Sequence, residues 1–110
     1  MEHISDDFLV ASIIKKYNDS GEYIWFNKLE DLLKNRMARG TVSKNIDKLF
    51  DFCLISGEWK KNEEGSWVRV FKVAGEAEKL IDKIIGERAV KDECFRDISS
   101  RLEAKISARR

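Results

Sequence analysis

Apolar residues at positions 9, 10, 13, 14 and 17 recur at helical spacing behind Ser5-Asp6-Asp7. That spacing predicts an opening helix capped by Ser5, with two carboxylates at the positive end of its dipole and Ile4 and Leu9 stapled across the cap. Asn18-Asp19-Ser20-Gly21 is a turn cluster that stops it, and Glu22 to Trp25 is a short β-rich run. Asn27 with Glu30 three residues on starts a second helix, about two to three turns long, which buries Leu29, Leu32 and Leu33 and ends near Asn35. A third runs from about Ala38 to Phe52, where Val42, Ile46, Leu49 and Phe50 form one apolar stripe. The opposite face is centred on Lys44 and includes Thr41, Asp47, Lys48 and Asp51, flanked by Ser43 and Asn45.

The period then changes. Leu54 to Lys60 and Ser66 to Val73, rich in β-branched and aromatic residues and separated by Lys61-Asn62-Glu63-Glu64-Gly65, predict a β-hairpin with a long polar tip. Helical spacing returns with Ala77, Leu80, Ile81, Ile84 and Ile85, and a second, narrower stripe follows at Phe95, Ile98, Leu102 and Ile106. Gly86 lies between them and either ends the first of these helices or is carried through it. The expected fold is α+β and mainly helical, with one domain over residues 1–86 and a helical extension over 87–110.

Composition narrows the chemistry. A chain of 110 residues holds one core and has little left to enclose a deep catalytic cleft, so an enzyme is disfavoured. Its 37% charged and 43% hydrophobic content suits amphipathic helices rather than disorder. The apolar runs are far shorter than the roughly 18 residues that span a bilayer, and the N-terminus is acidic, so a cytoplasmic location without membrane contact is expected. Cys53 and Cys94 read as reduced, buried thiols rather than a disulfide. The only histidine is His3, on an expected frayed end, and there is no phosphate loop or nucleophile elbow, so neither metal nor cofactor is expected. The three tryptophans, Trp25, Trp59 and Trp67, sit in predicted strands, where packing against the helices is the favoured role and stacking on unpaired bases the alternative.

The order helix, short strand, helix, helix, hairpin, helix, together with Gly40-Thr41-Val42-Ser43-Lys44-Asn45-Ile46-Asp47-Lys48-Leu49, resembles winged helix-turn-helix transcription regulators of MarR-like and archaeal types. In that resemblance, residues 38–52 are the recognition helix, Leu54-Ile55 enters the wing, and Trp67-Val68-Arg69-Val70-Phe71 is its returning strand. Two positions depart from the pattern. Cys53 stands where many such proteins have Gly, at a left-handed exit cheap only for that residue. Ala38 stands at the usual capping Ser or Thr, a loss worth ~1 kcal/mol that moves the expected start toward Thr41.

Charge counted by segment strengthens the resemblance. The net +1 conceals a first third, residues 1–33, at −4 and a stretch, residues 34–61, at +4. The excess of cations thus coincides with the helix-turn-helix and the first wing strand, the footprint that a duplex backbone selects. Lys44 and Lys48 are expected over the major groove, Lys44 as the base-edge donor. Thr41, Ser43 and Asn45 are expected near phosphates or base edges at the helix N-terminus, with Arg36 and Arg39 clamping the backbone from the turn. Lys60, Lys61 and Arg69 are the wing's candidates. Asp47 and Asp51 on the same face, and Glu63-Glu64 at the tip, limit the affinity.

The terminal stripe has no partner in a minimal domain. Phe95, Ile98, Leu102 and Ile106 are therefore expected to form a homodimer interface, with folding back onto the domain as the alternative. The overall expectation is a homodimeric regulator specific for double-stranded DNA and without catalysis; a winged-helix protein-interaction module is the competing function.

Overall fold

The computed structural model describes residues 4–109; His3 and the reading of it as a frayed end lie outside them. Among the described residues the chain is a mainly helical α+β fold: α1 (Asp6–Asp19), α2 (Phe26–Leu33), α3 (Arg39–Asp51), strands β1 (Ile55–Lys61) and β2 (Trp67–Val73), α4 (Glu78–Glu87) and α5 (Glu93–Ala108). The strands form one antiparallel hairpin, with Ile55 opposite Val73, Trp59 opposite Arg69, and Lys61 opposite Trp67. No helix among the described residues is long and apolar enough to cross a membrane.

The predicted helices and the hairpin all occur, with shifted ends. α1 begins as expected, and Ile4 and Leu9 are both in the core. Ser5 occupies the cap position without bonding a backbone N–H through its side chain. Instead the Asp7 carboxylate accepts from the Phe8 N–H at 2.9 Å, and the Ser5 carbonyl accepts the first helical bond from Leu9. α2 starts at Phe26 rather than Asn27, and α3 starts at Arg39 directly after Ala38, although Ala38 supplies no cap bond. Burial of Val42, Ile46 and Leu49 against the core holds the first turn of α3 in place despite that loss. Gly86 is carried within α4, which runs one residue further before a 3₁₀ turn at Ala89–Lys91 leads into α5.

Cys53 has φ +57, the one non-glycine residue of positive φ among those described, and it makes the exit from α3 into the hairpin. A left-handed backbone costs an L-residue roughly 1–2 kcal/mol, whereas glycine adopts it freely. Cys53→Gly should therefore raise stability by about 1 kcal/mol, seen as an increase in the urea midpoint at unchanged slope. Cys53 is exposed and Cys94 half-buried, and both are free thiols, which corrects the expectation that the pair is buried.

Long-range ties assemble the layers. The Asn18 side chain, at the end of α1, works as a piece of strand: its amide donates to the Phe71 carbonyl at 3.0 Å and its oxygen accepts from the Val73 N–H at 2.9 Å. The Ile24 carbonyl accepts from the Phe71 N–H, so the β-rich run expected at 22–25 is reduced to one bridge, Trp25 to Val70. Lys15 is buried between α1 and α4, 2.5 Å from Asp19 and 3.3 Å from Asp82. Burial alone would pull its ammonium below the ordinary value, but hydrogen bonds and charge from the two carboxylates carry it above.

The most consequential packing is that of α5. Phe95, Ile98 and Leu102 are 4%, 2% and 2% exposed within the single chain, and Ile106 is half-buried against the same core. The core is one cluster that includes Leu9 and Ile13 of α1 with Phe95, Ile98 and Leu102 of α5, so the boundary expected near residue 86 does not separate two cores. The stripe assigned to a second chain is thus covered by this one. The 3₁₀ turn reverses the chain after α4 and brings the stripe back onto α1, a fold-back that helical periodicity is blind to.

Candidate nucleic-acid interface

α3 leans its apolar stripe on α1 and presents Lys44, Asp47, Lys48 and Asp51 outward, while the hairpin stands beside it. Between the two runs a groove of about 360 Å³, whose walls include Ser43, Asp47 and Phe50 from α3 and Trp59, Trp67 and Arg69 from the strands, closed below by Trp25 and Phe26. The expected site residues divide sharply around it.

Arg36 is half-buried and taken up by internal partners. Its guanidinium donates to both oxygens of Asp92, at 3.1 and 3.3 Å, and to the Ile4 carbonyl at 3.3 Å, with Asp6 a further 3.7 Å contact. It joins the α2–α3 turn to the start of α5, which corrects its expected role as a backbone clamp. Arg39 pairs with Glu30 at 2.6 Å and lies over the Phe26 ring. Asn45 turns inward and donates to the Thr41 carbonyl at 3.0 Å and, more weakly, to Met37 Sδ. Thr41 and Ser43 are half-buried. Lys48 reaches Asp7 of α1 at 3.0 Å.

Burial of Asp7 would raise its pKa, but hydrogen bonds from Ser5, Lys48 and the Phe8 N–H, with the Lys48 charge, hold it below the ordinary 3.8. A folded value below the unfolded one means that the favourable contribution is complete above pH 3.8 and disappears as the pH falls through the lower folded value. Asp7→Asn should accordingly flatten the fall in melting temperature below pH 4, measured by thermal melts in an acid series.

Three cations on this side have no carboxylate partner among the described residues: Lys44, Lys61 and Arg69. Lys44 is exposed at the middle of α3. Lys61 lies over the Trp67 ring, and Arg69 lies over Phe50 at 4.5 Å from the ring centre. Gly57, on the same face, leaves the space that Arg69 fills; a Cβ there would collide with its side chain. Lys60 keeps a loose 3.9 Å contact with Glu58.

The tryptophans depart from expectation. Trp25 is half-buried, but Trp59 and Trp67 are 66% and 63% exposed. Their strands place them beyond Ile55, Phe71 and Val73, the end of the hairpin that reaches the core, so they extend past the apolar layer. Alternation of Trp67 with Arg69 and Phe71 on one strand face was the signal for this mixed surface. A second hollow, which shares Trp25, Asn27 and Val68 with the groove, gathers Lys28, Lys61, Lys105 and Arg109 around Glu22. Burial and the Lys105 charge both push the Lys28 ammonium below its ordinary value, with Glu22 opposing them. Glu22 pairs with Lys105 and Arg109, and Glu63 with Arg109, while Lys28 and Lys61 make no ion pair among the described residues.

No family model, curated protein or solved structure matches this chain. Among the described residues no group of three His, Cys, Asp or Glu side chains stands close enough to hold a metal ion.

Proposed function

We propose that this chain is a winged helix-turn-helix domain that regulates transcription by binding double-stranded DNA, with α3 in the major groove and the hairpin as its wing. The observation that carries this reading is Lys44: a solvated cation at the centre of the outward face of α3, free of any carboxylate among the described residues, on a helix flanked by an extended hairpin. A lysine so placed can donate to guanine O6 and N7, and the other free cations, Lys61 and Arg69, lie on the hairpin where a wing would meet phosphates. Lys48 serves a phosphate only by giving up Asp7, and Arg36 contributes nothing to the contact. The reading attaches no second chain to α5, whose apolar stripe is already covered.

A labelled duplex pool titrated across a salt series tests it. Each phosphate contact contributes a slope of roughly −0.9 in log affinity against log salt. Lys44→Ala is expected to weaken binding and, if the ammonium also meets a phosphate, to make the slope shallower by about one unit; Arg36→Ala leaves the slope unchanged. Binding near background at low salt in the unsubstituted protein sinks the proposal. Phe52, exposed beside Asp51, favours the second reading, a protein-interaction module, and absence of duplex binding would turn attention to it.

A further inference from the structure

The groove between α3 and the hairpin has a composition that a smooth duplex surface does not need. Two indoles stand in solvent on one face of the hairpin, Trp59 opposite Arg69 and Trp67 opposite Lys61. Across such a ladder the two are diagonal neighbours, about 7–8 Å apart. Among the described residues the only aromatic ring pair is Phe50 with Phe71, so neither indole covers the other. Exposing two tryptophans side by side is costly in water, and such patches mark binding surfaces.

We infer that this groove binds unpaired nucleobases of a single-stranded nucleic acid, which stack on Trp59 and Trp67 while the flanking phosphates meet Arg69 and Lys61. The charges select this occupant. Arg69 and Lys61 have no carboxylate partner among the described residues; Arg69 lines the groove over Phe50, and Lys61 lies over Trp67 at the groove's rim, where it also lines the neighbouring hollow. An apolar peptide would desolvate both cations and return nothing to them. A nucleotide offers a flat π face and a phosphate together, the pairing by which single strands are held without regard to sequence. Asp47 is the acidic residue in the wall. It faces the groove from α3, and its repulsion of phosphate favours entry of the strand along the hairpin side.

The experiment is fluorescence anisotropy at low salt with a labelled oligothymidylate of about 12 nucleotides, within the usual range of single-strand sites. A backbone of equal length lacking its bases is the comparison. The unsubstituted chain should bind the oligothymidylate at least about fivefold more tightly than the abasic strand, with quenching of tryptophan fluorescence. Trp59→Ala and Trp67→Ala should each weaken oligothymidylate binding by about fivefold or more, while Trp67→Phe retains most of it. Both side chains are exposed, so circular dichroism of the variants should be unchanged. Equal affinity for the two strands, no binding of either, or full affinity in the doubly substituted protein would overturn the inference. The site shares Arg69 and Lys61 with the proposed duplex contact but not Lys44 or the two indoles: Lys44→Ala tests the duplex reading, the tryptophan variants this one, and either can fail alone.

Discussion

Phe95→Ala is expected to remove about 3–5 kcal/mol of folding stability, read as a lower urea midpoint. The side chain is 4% exposed and belongs to the same apolar cluster as Leu9 and Ile13 of α1, so its loss leaves a cavity between two helices that cannot close without moving one of them. Against a typical stability of ~5–15 kcal/mol for a domain, that is a large share. Ile98→Ala and Leu102→Ala should follow at about 2–5 kcal/mol each. A chain cut after Arg88 should lose cooperative unfolding altogether, because all three anchors go together. The competing expectation, that these residues hold a second chain, makes the opposite forecast: a truncated protein that stays folded but sediments at half the mass. Equilibrium sedimentation beside the urea melt separates the two.

Asp92→Ala should cost about 4 kcal/mol, through two contributions that can be told apart. The carboxylate is the N-cap of α5, accepting from the N–H groups of Cys94 at 2.9 Å and Phe95 at 3.2 Å, and removing such a cap costs ~1 kcal/mol. It also neutralises Arg36 while itself nearly fully buried, and stripping one partner from a buried ion pair costs about 3–5 kcal/mol. Arg36 is about one-quarter exposed and keeps Asp6 nearby, which places the loss at the low end. Asp92→Asn retains the cap and removes the charge, so it should recover only about 1 kcal/mol. In a double-mutant cycle with Arg36→Met the coupling should exceed ~1 kcal/mol. Additive effects would mean that the salt bridge contributes nothing and that Asp92 acts as a cap alone.

These two predictions concern residues whose roles could not be seen along the chain. Asp92 precedes an apolar stripe and is a recognisable cap position, yet its bond to Arg36 spans 56 residues. The same limit explains Arg36 itself: its charge is visible in the basic segment, but a cation's availability depends on what the fold brings beside it. Lys48 and Arg39 illustrate it again, each having found a carboxylate from another helix, at Asp7 and Glu30. Lys44 kept its expected place because the centre of an amphipathic helix's polar face is fixed by local geometry. Trp59 and Trp67 went the other way. Strand periodicity gives the face a residue occupies, but not whether the helices extend far enough to cover it.

By itself the sequence determined the helices and the hairpin, their order, the buried stripes of α1 and α3 and the strained exit at Cys53, since all of these follow from spacing and backbone preference within a few residues. Only the tertiary structure decided where the last stripe is buried, which cations remain unpaired and that two tryptophans face water beside α3. Those depend on which distant surfaces meet, and an apolar stripe or a charge carries no mark of whether its partner lies in the same chain.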